Sequence, residues 1–127
     1  LWWRIAQSIL ELYKSNPRET KIDVDKLKLY FKNPGYYKSI SPFIYIIAYT
    51  EGKKSSPFLC KLLHMKFEDE ISERGIISET LYNLGYIKDT STIDEVRVFL
   101  THSDSRIRWK ARVAFKKIEK AQLKNEK

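Results

Sequence analysis

The chain is poor in the residues that break helices and in those that staple small secreted folds. Gly and Pro number four each among 127 residues, too few for the many tight turns of an all-β domain. A single cysteine, Cys60, cannot close an internal disulfide, and Asn16 and Asn33 both precede Pro, so no Asn-x-Ser/Thr glycosylation acceptor occurs. Both absences favour a reducing, cytoplasmic compartment over a secreted one. No apolar run approaches the ~18 residues of a membrane span. The most apolar stretch, Phe43 to Tyr49, is far shorter. Because the chain opens on Leu1 rather than Met, residues 1–127 read as one domain, a fragment of a longer chain with room upstream for a targeting signal or an anchor.

What the chain does have is apolar periodicity. Hydrophobic residues make up 43% and aromatic residues 13%, enough to build a core. They recur at helical spacing nearly throughout. Ile5, Ile9, Leu12 and Tyr13 form one stripe, ended at Asn16-Pro17. A second helix begins near Asp23, carries Leu27, Tyr30 and Phe31, and stops at Asn33-Pro34-Gly35. A third covers about 37–50. Ser55-Ser56-Pro57 reads as a cap with Pro at the first helical position, opening a helix to Phe67 with Leu59, Leu62 and Leu63 inside. The next spans about 69–86 with Ile77, Leu81 and Leu84 inward. Thr90-Ser91-Thr92 caps a helix bearing Ile93, Val96, Val98, Phe99 and Leu100. Ser103-Asp104-Ser105 caps the last, with Ile107, Ala111, Ala114, Phe115 and Ile118, and fraying is expected after Lys120. The pattern predicts an all-α chain of about seven helices.

The helices also repeat. Arg74, Ile77, Thr80, Leu81 and Leu84 match Arg108, Ala111, Ala114, Phe115 and Ile118 at a constant offset of 34 residues. A weaker copy sets Ile44-Tyr45-Ile46-Ile47-Ala48-Tyr49 against Leu81-Tyr82-Asn83-Leu84-Gly85-Tyr86. Helix pairs of this period cannot bury their apolar faces alone and must stack on one another. Leu84-Gly85, Val96-x-x-Phe99-Leu100, Asp104, Ile107-Arg108, Ala111 and Ala114-Phe115 together resemble a HEAT repeat of the short bacterial type. Departures are Ile77 where a small residue is usual, Glu119 where Gly is common, and the acidic Glu68-Asp69-Glu70 junction. The resemblance implies an α-solenoid of about three helix-turn-helix repeats after an extra N-terminal helix. First helices would line its convex side and second helices its concave side. It also implies that Asp104 and Arg108 serve bonding within the repeat.

Constellations for chemistry are weak. Cys60 and His64 stand four apart on one helix, but a zinc site needs three or four ligands and His102 is the only other histidine. Core packing explains the pair better. Glu68, Asp69, Glu70 and Glu73 suit a helix N-terminus without any acid–base role. No metal, no cofactor and no enzymatic activity is expected.

Charge is unevenly placed. Residues 1–104 carry 15 basic and 14 acidic side chains, whereas residues 105–127 carry nine basic and two acidic. Helical spacing sets Trp109, Arg112, Lys116 and Lys120 opposite the apolar stripe of the last helix, flanked by Arg106, Lys110 and Lys117. Trp and Arg are common anchors of interfaces, and tyrosines such as Tyr36, Tyr37, Tyr45, Tyr49, Tyr82 and Tyr86 supply rigid contact area. The expectation is a non-enzymatic scaffold that holds a protein partner with Arg106, Trp109, Lys110, Arg112, Lys116, Lys117, Lys120, Tyr45 and Tyr82. The alternative is a nucleic-acid-binding module using the basic helix 105–120.

Overall fold

A computed structural model describes residues 2–16, 22–32, 42–66 and 69–125, with the side chains of Trp2, Trp3, Ile5 and Ala6 left aside. The expected breaks at Pro17 and at Asn33-Pro34-Gly35, the start of the third helix before Pro42, Tyr36, Tyr37, Phe67 and Glu68 lie outside the described residues. Seven α-helices and no strand occur among those described: α1 Trp2–Ser15, α2 Val24–Leu29, α3 Pro42–Glu51, α4 Ser56–His64, α5 Glu70–Ile87, α6 Ile93–Arg97 and α7 Ser105–Asn125. Single 3-10 turns extend α2 through Lys32, join α3 to α4, and flank α6 on both sides. The chain is all-α.

Local chemistry sets the ends. Asp23, Asp69 and Asp104 accept hydrogen bonds from the first free backbone N–H groups of α2, α5 and α7 (Lys26 at 3.3 Å, Ile71 at 2.9 Å, Arg106 at 2.8 Å). Lys88 closes α5 in the left-handed region, its N–H donating to the Leu84 carbonyl at 3.1 Å. Two expected caps work differently. Ser55 donates its hydroxyl to the Gly52 carbonyl at 2.6 Å, and Ser56 donates to Asp89 across the fold at 2.8 Å, so neither side chain caps α4. The 3-10 turn at Thr90–Thr92 is capped by Asp89, which accepts from the Ser91 N–H at 3.0 Å.

α1 packs on α3, α3 on α5, and α5 most extensively on α7. Within the hairpins, α2 lies on α3, α4 on α5 and α6 on α7. One continuous core fills the space between, from Leu10 and Tyr13 through Ile44, Ile47, Leu59, Leu62, Leu81 and Leu84 to Ile107 and Ile118. Of the residues matched by the internal repeat, Ile44, Leu81, Ile47, Leu84 and Ile118 are all fully buried, whereas Phe115, the match of Leu81, is only partly buried. Three expectations shift. Leu12 is 60% exposed while Leu10 is buried: α1 packs on α3 through Leu10 and Tyr13, and Leu12 falls on its open side. Val98 is 62% exposed, because α6 winds into a tight 3-10 turn there in which Phe99 is buried and Leu100 packs against the core. α7 stays helical to Asn125 rather than fraying after Lys120. No helix among the described residues is long and apolar enough to cross a membrane.

Candidate binding surface

Tyr45 and Tyr49 sit one turn apart on α3, and Tyr82 and Tyr86 one turn apart on α5, so each pair shares a helix face. Stacking α3 on α5 brings the pairs together. Tyr45 and Tyr49 stack with ring centroids 5.8 Å apart, and Tyr49 and Tyr86 stack at 6.4 Å. Tyr45 meets Tyr86 at 6.5 Å, and Tyr13 of α1 closes the cluster edge-on against Tyr49 at 5.7 Å. Tyr13 also shares a 2.6 Å hydrogen bond with Thr50. Burial raises the pKa of Tyr45, and the neighbouring phenols Tyr86 and Tyr49 push the same way. The Tyr45 phenol is therefore a neutral hydrogen-bonding group on a rigid aromatic surface.

Lysines frame the aromatic rings. Lys14 of α1 lies over the Tyr45 ring at 5.0 Å. Lys110 and Lys117, two turns apart on α7, both lie over Tyr82, at 5.3 and 5.8 Å. Lys110 is also 5.7 Å from the ring of Trp109. A cation over an aromatic face is attracted by the ring quadrupole. Near this edge stands Glu79, one turn before Asn83, with a pKa raised by burial against the opposing pull of Lys110 and Lys14.

Two depressions open between α5 and α7. One, of about 90 Å³, is lined by Tyr82, Gly85, Trp109, Lys110, Val113, Ala114 and Lys117. The other, about 690 Å³, is a wide cleft past Gly75 and Glu79 that holds Arg74, Asp104, Arg106 and Lys110. Lys110 borders both. In the larger cleft Arg74 pairs with Asp104 at 3.5 Å, a link between successive hairpins. Hydrogen bonds from the Arg106 and Ile107 N–H groups and the charge of Arg74 hold Asp104 below its ordinary pKa. The expected Asp104–Arg108 bonding takes another form: the Arg108 guanidinium donates to the carbonyls of His102 and Ser103 at 2.7 and 2.9 Å. Both residues still order the turn into α7.

The structure thus gathers Tyr45, Tyr82, Trp109, Lys110 and Lys117 on one side, with Arg106 in the adjoining cleft. Trp109 is 58% exposed but lies against α5, rather than among the residues straight out from the core. At about 100° per residue, Lys116 points directly away from Ile107, Lys120 falls between it and the Lys117 edge, and Arg112 falls toward the α6 side. Arg112 and Lys116 are exposed and separate from the aromatic face. Lys14, Glu79 and Val113 belong to the surface although sequence reasoning did not single them out. Lys14 carried no signal, because the phase of α1 against α3 decides its position.

The remaining chemistry-bearing groups lie apart. Burial, reinforced by Glu95 and Asp89, pushes the Cys60 thiol up to about 11. His64, expected to pack in the core with Cys60, is instead exposed and bonds Glu95 at 2.8 Å. Among the described residues no group of three or more His, Cys, Asp and Glu is placed to hold a metal ion. No family model, no curated protein and no solved structure matches the chain.

Proposed function

We propose that this chain is a non-enzymatic scaffold of the HEAT-repeat type, an α-solenoid of helix pairs that holds a protein partner along the exposed face of α3, α5 and α7. The observation that carries this reading is the continuous surface of Tyr45, Tyr49, Tyr86, Tyr82 and Trp109, framed by Lys14, Lys110 and Lys117. Large rigid side chains massed on one side of a small domain mark an interaction site. The stepwise packing of α1, α3, α5 and α7, each on the next, supports the solenoid, since a repeat of this kind touches only its neighbours.

The test is site-specific crosslinking in cells. A photoreactive group replacing Tyr82 should capture one defined protein, and the same group replacing the exposed Leu29 of α2 should not. Adducts to nucleic acid from the Tyr82 position, with an affinity that falls steeply as salt rises, would replace this reading by its rival. The rival draws its support from the basic run of α7, where Lys110 and Lys117 line one crevice with an exposed Trp109 and Arg106 and Lys120 extend the run.

A further inference from the structure

The smaller depression between α5 and α7 combines two features. Its floor is apolar: Gly85, Ala114 and Val113, walled by the rings of Tyr82 and Trp109. Its rim is cationic. The ammonium groups of Lys110 and Lys117 converge on the single ring of Tyr82, and no described carboxylate lies within ion-pair distance of either, Glu79 acting on Lys110 from farther away. Two like charges held over one ring repel each other, and an anion set between them would relieve this.

The cations continue beyond the rim. At about 100° per residue, Arg106, Lys110, Lys117, Lys120 and Lys124 fall within roughly 80° of one another around α7, with Val113 among them. The row is about 27 Å long, the reach of roughly eight extended residues. Resting on the scaffold reading above, we infer that the crevice receives an aliphatic side chain from an extended, acidic protein segment, whose carboxylates lie along this row with Lys110 and Lys117 beside the anchor.

Size sets the choice of anchor. The crevice measures about 90 Å³, well under the ~150 Å³ of an enclosed cavity that takes up benzene, so its floor suits a Val or Leu side chain better than an aromatic ring. Charge selects the flanks, since opposite potentials steer and orient an incoming segment. A nucleic acid would satisfy the cations, but the thymine methyl is the one aliphatic group its bases offer the apolar floor. It would also find the faces of Tyr45, Tyr49 and Tyr86 already laid against one another.

The test selects binders from a displayed library of random short peptides on the 127-residue chain. The best peptide is then titrated by fluorescence anisotropy against the parent chain, the Lys110→Glu/Lys117→Glu variant and Trp109→Ala, all surface changes whose helicity circular dichroism checks. The expected result is a set of peptides sharing Val, Leu or Ile flanked by Asp and Glu. Binding should weaken roughly tenfold or more in both variants, and equally when the aliphatic anchor becomes Ala. Peptides that lack acidic residues but remain sensitive to Trp109→Ala would overturn the acidic segment and leave the scaffold reading standing. Peptides insensitive to both variants would remove the crevice as the site. If no peptide is selected and labelled oligothymidine binds through Lys110 and Lys117, both readings fall.

Discussion

Gly85 of α5 and Ala114 of α7 meet so closely that a methyl group on Gly85 would stand 2.9 Å from the Ala114 Cα and 3.1 Å from its Cβ. That approach lets α5 and α7 form the most extensive helix contact among the described residues. Gly85→Ala should therefore separate the two helices. Replacing a mid-helix Gly gains about 1 kcal/mol of propensity, while overpacking of this kind costs about 1–3 kcal/mol, so a net loss of about 1 kcal/mol is expected. Gly75, in the same helix, is the control: a methyl group there meets nothing within 4 Å, and Gly75→Ala should stabilise by close to the full propensity term. Thermal unfolding should move the two variants in opposite directions, by roughly 3–5 °C per kcal/mol. Equal shifts of one sign would mean that the close approach does not exist.

The same contact shows what the sequence discloses and what it hides. The offset of 34 between Leu81 and Phe115 located both helices and named most of their inward residues, because a buried stripe must follow the helical period. The pairing of Tyr45 and Tyr49 with Tyr82 and Tyr86 in the internal comparison was legible too, and Tyr45, Tyr49 and Tyr86 do come together. Contacts across the stack were not. Whether Lys110 reaches Tyr82, Ser56 reaches Asp89, or Lys14 reaches Tyr45 depends on the rotation of one helix against another, which no single-helix periodicity fixes. Thr90-Ser91-Thr92 signalled a cap, yet the capping residue is Asp89, which also spans the fold to bind Ser56. In the last helix the period identified the exposed cations but could not say which border α5, so Arg112 and Lys116 were grouped with Lys117.

Asp89 ties two hairpins together. It accepts from the Ser56 hydroxyl at 2.8 Å, from the Ser91 hydroxyl at 2.8 Å and from the Ser91 N–H at 3.0 Å. Burial works to raise its pKa, but the hydrogen bonds from Ser56 and Ser91 outweigh burial and hold it below the ordinary 3.8. The folded state thus favours the ionised carboxylate. The resulting stability is complete above pH 3.8 and disappears as pH falls through the lower folded-state value. Asp89→Ala should cost about 1–2 kcal/mol at neutral pH through loss of the cap and the cross-link, and Asp89→Asn should flatten the acid limb of stability against pH. Urea titrations of the parent and Asp89→Asn between pH 2.5 and 7 would read this directly, and parallel curves would dismiss the role.

Cys60 is half-buried on α4, and its thiol is pushed from 9.0 to about 11. A difference of about two corresponds to roughly a hundredfold less thiolate at neutral pH, and the thiolate is the reactive species. Iodoacetamide should therefore label the native chain about a hundred times more slowly than the urea-unfolded chain at the same pH. Similar rates in the two states would show that the thiol is open and unperturbed.

Glu79 runs against Asp89 in its pH behaviour, and it does so beside the binding surface. Burial raises its pKa above the ordinary 4.5 although Lys110 and Lys14 pull it down, so the fold favours the protonated acid. Its contribution to stability is present below pH 4.5 and is lost as pH rises through the higher folded value. On the proposed function, a carboxylate that burial disfavours at neutral pH beside tyrosines and lysines would be a position kept for binding rather than for stability. Glu79→Gln should raise the melting temperature at neutral pH, with the gain vanishing below pH 4.5. It should also strengthen capture of an acidic peptide by removing a carboxylate from beside Lys110. A variant that melts no higher than the parent at pH 7, or that binds the peptide more weakly, would return Glu79 to the role of a structural partner for Lys110.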